Sequence, residues 1–284
     1  MDLNLTKIRE SWKNLEGYHT LVYFAPEAIN LYQQAGLDFI LGYFASRSAS
    51  MGKVSDKVVA SCFYVFKPEL VSMAIPKAWE IIEPEKLTEL RYQAADAALV
   101  RILGNDKDSE DIATAATIAR KIAESASDHF VGRPLFSGHC QIKWPTEPYM
   151  VLFHAQTLIR EFRGDGHMIS LVANEVGPLE ALILHGAADI DVPISFLKST
   201  RGWSDTEWNE VVTQMINKNL ITKDNEKLKL TDSGSELKDK VESMTDRLSS
   251  IAYHNVSNDE LDVLISVGKK IADKLAQANS FINK

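Results

Sequence analysis

Apolar positions recur at three- and four-residue intervals along most of the chain, and the every-second-residue alternation of strands is almost absent before residue 187. That periodicity predicts a run of helices from about residue 4 to residue 187, the best defined opening at Pro26, Ser55, Pro84, Asp108, Pro148 and Pro178. Pro26, Pro68 and Pro84 are each followed by glutamate. A proline at the first helical position gives up an N–H that the helix does not use, and a first-turn carboxylate complements the positive end of the dipole. Gly36, Gly104 and Gly186 are read as stops. Ala94, Ala95, Ala97 and Ala98, and an alanine-rich stretch over 111–126, allow helices to approach closely. Residues 130–145 read as an irregular connection.

A different pattern starts near Val192. A short helix ends at Gly202, and Ser204 with Glu207 forms a capping box. Trp208, Val211, Val212, Met215, Ile216 and Leu220 then line one face of a second helix. Leu220 to Thr222, the turn at Asp224 and Asn225, and Lys227 to Leu230 read as a short hairpin, with a helix opening after Thr231. This is the layout of a winged helix-turn-helix. The expected fold class is all-α: a multi-helix N-terminal domain over 1–190, a winged helix-turn-helix with a short β-wing over 191–250, and a last helix over 251–284. The last helix is expected to pack, with homodimer formation as its other use.

Composition changes the picture in two ways. No stretch reaches about 18 apolar residues without a charge or break, so no membrane span is expected. The charged N-terminus has no apolar signal core, so a cytoplasmic protein is expected, with Cys62 and Cys140 reduced and packed. The net charge is −8, and the acidity extends into the module shaped for DNA. Between Arg201 and Arg247 there are eight basic and ten acidic residues. The polar face of the second helix carries Thr206, Glu207, Asn209, Glu210, Thr213, Gln214 and Asn217, with Lys218 its one cation. DNA affinity comes mainly from cations on phosphates. Only the wing lysines Lys223, Lys227 and Lys229 favour DNA, which is a disfavoured partner.

Candidate chemistry concentrates in residues 148–167. Arg160 and Arg163 stack about one turn apart beside an apolar stripe that carries His154 at its margin, an arrangement suited to a carboxylate or phosphate. The plainer reading is an internal salt bridge with Glu161, Asp165 or Glu180. A break at Gly164-Asp165-Gly166 would let Asp165 cap a following helix and hold His167 neutral in its first turn. His19, Tyr43, Arg47 and Tyr64 bring polar tips into apolar surroundings, as the walls of ligand pockets do, with Phe44 beside Tyr43 as an apolar wall, and Trp144 could close one end. As stripes at helical spacing, the same residues read first of all as core. His154, His167 and His185 match no zinc spacing, and neither a phosphate loop nor a nucleophile elbow occurs, so no metal, cofactor or catalytic residue is assigned.

The strings HTLVYFAPEA, GYFASRSASMG, FYVFKPELV, FHAQTLIREFRGDGH, LEALILHGA and TRGWSDTEW together resemble a family common in actinobacteria, over about residues 12 to 250. NKNLI and LKLTDSGSELKDKV resemble the end of the recognition helix and the wing of MarR-type regulators. The resemblance implies a helical N-terminal region joined to a winged helix, and no catalytic residue. The leading expectation is a small-molecule-binding protein with an anionic or aromatic guest, whose winged helix does not read DNA strongly. A ligand-responsive MarR-like regulator is one alternative. The other is an enzyme using His167 as base and Arg160 with Arg163 as anion holders.

Overall fold

The computed structural model describes residues 4–188, 194–225 and 227–280. The protein is all-α apart from one hairpin. Three helices open the chain: α1 (Leu5–Thr20), α2 (Pro26–Gln34) and α3 (Phe39–Ser48). Two short ones follow, α4 (Asp56–Cys62) and α5 (Pro68–Ser72), and then α6 (Lys77–Ile81), α7 (Pro84–Leu103), α8 (Glu110–Ser127) and α9 (Pro134–His139). The longest is α10 (Pro148–Ala173), before α11 (Pro178–Ala187), α12 (Ile194–Thr200) and α13 (Asp205–Asn217). Strands β1 (Ile221–Asp224) and β2 (Lys227–Leu230) form the hairpin, and α14 (Asp232–Ser250) and α15 (Asn258–Ser280) close the described chain.

Helix starts follow from local chemistry. Asn4, Asp38, Ser55 and Ser109 accept backbone N–H groups as N-caps of α1, α3, α4 and α8. Proline occupies the first turn of α2, α5, α7, α9 and α11. Residues 130–145, read from sequence as irregular, contain α9. Gly186 does not end its helix but lies inside α11, where an added Cβ would come within 2.7 Å of Ile194. The stop was misread because glycine serves close packing there.

Contacts group the chain into two units, each built from separate stretches. The first comprises 1–53, 77–165 and 246–284. In it α1 packs along α15, α7 packs against α2 and α3, and α8 packs against α15. Its core includes Ile8, Leu15, Phe44, Leu99, Phe153 and Leu264.

The second unit comprises 54–76 and 166–245. Helices α11, α12 and α13, the hairpin and the start of α14 make a winged helix-turn-helix around Leu182, Ile183, Leu197, Trp208, Met215 and Ile221. The hairpin is antiparallel, pairing Ile221 with Leu230 and Asp224 with Lys227. The capping box of Ser204 and Glu207 opens α13 as its spacing predicts. The sequence boundary at 190/191 lies outside the described residues, and contact grouping divides the chain elsewhere. Helix α11 belongs with the winged unit because Leu179, Leu182, Ile183 and Leu184 are part of its core. Residues 54–76 join the same unit through specific bonds. Trp203 Nε1 donates to Val65 O (3.0 Å), Lys67 N to Arg201 O (2.9 Å), and Tyr64 OH to Val176 O (2.7 Å). Among the described residues, no single helix is long and apolar enough to cross a membrane.

Candidate functional site

Helix α10 runs unbroken through Gly164-Asp165-Gly166. Asp165 therefore caps no helix and His167 occupies no first turn. The buried Asp165 carboxylate instead accepts the N–H of Phe136 (3.0 Å) in α9. Burial pushes the Asp165 carboxyl up to about 7. Gly164 leaves room for its neighbours, since a Cβ there would lie 3.4 Å from Arg160 Nη1 and 3.6 Å from Glu161 Oε2.

Arg160 and Arg163 do not form one anion clamp. Arg160 donates to Glu161 Oε2 (2.7 Å) and reaches Glu16 Oε1 (3.4 Å). Arg163 donates to Asp246 Oδ1 (2.7 Å) and lies 4.5 Å over the Trp12 ring. Of the salt-bridge partners read from sequence, Glu161 is realised. Glu16 and Asp246 are distant in sequence, and spacing gave no access to them.

Around Glu161 the helical unit buries a polar cluster from α1, α3, α7, α9 and α10. Its hydrogen bonds fix protonation by elimination. Thr157 Oγ1 donates to Phe153 O (3.0 Å), so it accepts from His19 Nδ1–H (3.0 Å), and His19 Nε2 is left to accept from Tyr23 OH. Burial, then the charge of Arg91, holds His19 well below the usual imidazole range, so the ring is neutral. Its 3.7 Å approach to Glu161 Oε1 is then no ion pair. Burial would raise the Glu161 carboxyl, but Arg160 and Arg47 outweigh it and keep the group ionised. Arg47 donates to Tyr43 OH (2.6 Å) and lies 4.6 Å over the Tyr23 ring.

Among the described residues of this unit, one buried cation lacks a facing carboxylate. Four arginines are buried: Arg47, Arg91, Arg133 and Arg163. Arg163 is bonded to Asp246, Arg133 has Asp165 as its neighbouring charge, and Arg47 faces Glu161. Arg91, only 1% exposed, has no carboxylate within ion-pair distance among the described residues. Its Nε and Nη1 reach no acceptor. The guanidinium rests over Tyr23 (5.5 Å) and Phe153 (5.9 Å). His139, within electrostatic reach of Arg91, is also buried; its ring approaches the backbone of Arg47 without good hydrogen-bond geometry, and burial lowers it to about 4. An unpaired buried ion costs several kcal/mol, and each orphaned polar group about 1–3 kcal/mol.

The remaining residues singled out in the sequence are dispersed. His154 Nδ1 shares a hydrogen bond with Tyr92 OH and packs edge-on to Trp144 at 4.4 Å, a closed contact in which burial lowers the imidazole to about 3. Phe44 is core, 1% exposed. In the winged unit, Tyr64 lines a groove of about 320 Å³ with Lys57, Phe66 and Pro178. His167 Nδ1–H donates to Thr245 Oγ1 (3.0 Å) beside a cavity of about 40 Å³ lined also by His185, Lys238 and Glu242. The structure thus brings Arg47 and Arg160 to Glu161, Tyr43 to Arg47, and His154 to Trp144. Arg163, His167 and Tyr64 lie outside that cluster.

On the winged helix, Thr206, Asn209, Glu210, Thr213, Gln214 and Asn217 are exposed on α13. Lys198 pairs with Asp205 (2.6 Å), Lys218 with Glu180 (2.7 Å) and Lys67 with Glu207 (2.7 Å). Lys227 and Lys229 are exposed on the wing. Lys223 lines a cleft of about 280 Å³ with Lys198, Trp208, Asn209 and Leu228. The model of a helix-turn-helix family matches residues 8–282. The chain belongs to that helix-turn-helix family. No curated protein and no solved structure matches it significantly.

This helix-turn-helix protein holds two residues that sequence reading passed over, Arg91 and His139. For Arg91 a signal existed. It sits on the buried stripe of Leu87, Ala94, Ala95 and Ala98 at helical spacing, a lone cation on an apolar face. His139 carried no such signal, because it lies where no helix was expected.

Proposed function

We propose that the protein binds a small anionic molecule in the polar cluster of its helical unit and uses the winged helix as an output module. The observation that carries this reading is Arg91, a buried guanidinium with no carboxylate at ion-pair distance among the described residues, whose charge also acts on the buried His139 ring. Arginine keeps its charge in proteins, so the site favours a guest that brings the missing anion. The earlier candidates Arg160 and Arg163 serve as neutralising frame, holding Glu161 and Asp246. Native mass spectrometry of protein purified from its host is expected to release a small acid on denaturation, and the Arg91→Met variant is expected to carry none. A bare chain in both preparations would refute the reading.

A second reading, a ligand-responsive regulator that binds DNA, draws support from the exposed wing lysines Lys227 and Lys229 and from the resemblance of the wing to MarR-type proteins. Glu210 on α13 opposes it, because it would meet phosphate-lined grooves. Gel-shift titration against genomic fragments at low salt is the test. Retardation that weakens steeply with salt and disappears in Lys227→Ala/Lys229→Ala supports it, and no retardation refutes it.

A further inference from the structure

Phe24 and Phe39 are 55% and 46% exposed, unusual for rings of this size. They stack on each other at 6.4 Å and on Tyr43 at 6.3 and 6.1 Å. Beside them opens a cavity of about 10 Å³, lined by Tyr23, Tyr32, Asp38, Phe39, Tyr43 and Ser46, where the Asp38 carboxylate is engaged in capping α3 at Leu41 N. That is about the minimum space for one water molecule. The Tyr23 ring belongs to this lining and also carries the Arg91 guanidinium at 5.5 Å. Surface aromatics, a narrow polar opening and the uncompensated cation therefore follow one another inward.

We propose that this aromatic collar is the mouth of the anion site, that Arg91 with His139 is its inner end, and that the guest is a monocarboxylate with a flat apolar body. The proposal rests on the anion-binding reading and adds the class of guest and its route. Charge selects the class. Arg91 is a single cation with no carboxylate at ion-pair distance among the described residues, so a monocarboxylate matches it one for one, whereas a phosphate monoester dianion would bring a second negative charge into the interior. Shape selects the body. Rings that are half exposed have space to turn aside, and a planar guest can take their place against Tyr23 and Tyr43 with offset or edge contacts. The orphaned Nε and Nη1 of Arg91 supply the charge-assisted donors.

The test is calorimetric titration of the full chain, freed of small molecules, with sodium benzoate, benzamide and phenyl phosphate, on wild type, Arg91→Met and Phe39→Ala. Benzoate is expected to bind at least tenfold tighter than either competitor. Arg91→Met, checked as folded by circular dichroism, is expected to lose at least tenfold for benzoate and to leave benzamide unchanged. Phe39→Ala, which keeps the cation, is expected to weaken benzoate several-fold. Equal binding of benzoate and benzamide, or benzoate binding unchanged in Arg91→Met, overturns the proposal. If phenyl phosphate binds best and loses that binding in Arg91→Met, the carboxylate class falls and the anion site stands. If none of these anions separates wild type from Arg91→Met, both fall.

Discussion

Replacing Arg91 by methionine should make the empty protein more stable. The guanidinium is 1% exposed and unpaired among the described residues, and two of its nitrogens reach no acceptor. Desolvation of such an ion costs several kcal/mol after relaxation, and the orphaned donors are part of that cost. Against it stand cation–π contacts with Tyr23 and Phe153 at 5.5 and 5.9 Å, worth about 0.5–2 kcal/mol each. Methionine fills a similar elongated volume and adapts to irregular space. The balance favours the variant by about 1–4 kcal/mol, the range found when buried ions give way to packed apolar groups. Urea unfolding followed by circular dichroism, on protein refolded free of small molecules, measures it as a higher midpoint at unchanged slope. A variant destabilised by more than about 1 kcal/mol would show that Arg91 has an internal partner, and the reasoning would fail. Guest binding should shift the difference toward wild type by about 2.7 kcal/mol at 100 times the Kd, because the ligand stabilises only the protein that binds it.

Asp165 holds its proton to about pH 7 when folded, against a usual carboxyl value of 3.8. Between those values the folded state carries the extra proton, so this group's contribution to stability falls as pH rises from about 4 to 7, by about 4 kcal/mol. Asp165→Asn should therefore gain on wild type as pH rises. The difference between the two proteins isolates this slope from His139 and His154, whose lowered values act in the opposite direction. A constant difference from pH 4 to 8 would contradict it. Glu161→Gln leaves Arg160 and Arg47 facing each other without the shared carboxylate, and should cost about 3–5 kcal/mol by denaturant midpoint. Gly234→Ala would bring a Cβ to 1.9 Å from the carbonyl of Leu220, so α14 or the wing must move. A cost of about 1–3 kcal/mol and faster amide exchange over Ile221–Leu230 are expected, and unchanged exchange would count against the packing.

Periodicity made the helices and the wing legible, because an apolar face repeats within a single element. Ser204 with Glu207 opens α13 where the spacing predicts, and Leu228 and Leu230 turn inward against Ile221. Gly164-Asp165-Gly166 was misread because glycine breaks an isolated helix but is tolerated in α10, where its missing side chain makes room for Arg160 and Glu161. Arg163 illustrates the larger limit. Its partner, Asp246, lies 83 residues away, and nothing local distinguishes a paired arginine from one awaiting an anion. Arg91 was the better clue, since an apolar stripe interrupted by a cation shows at helical spacing alone.

The winged unit is assembled from two stretches of chain, and this governs when it can form. Trp203 and Val65, joined by a hydrogen bond, are 138 residues apart. Bringing such ends together costs about 4 kcal/mol of chain entropy by the logarithmic loop law. During synthesis residues 54–76 emerge first and must wait for the helix-turn-helix to leave the ribosome. A fragment cut at the start of α11 would lack Val65 and Lys67, leaving Trp203 Nε1 and the carbonyl of Arg201 without their acceptor and donor. Domain dissection at the start of α11, and still more at the 190/191 boundary suggested by sequence, would thus test an incomplete module, and a covalent fusion restoring residues 54–76 to the longer fragment is the one to compare with it.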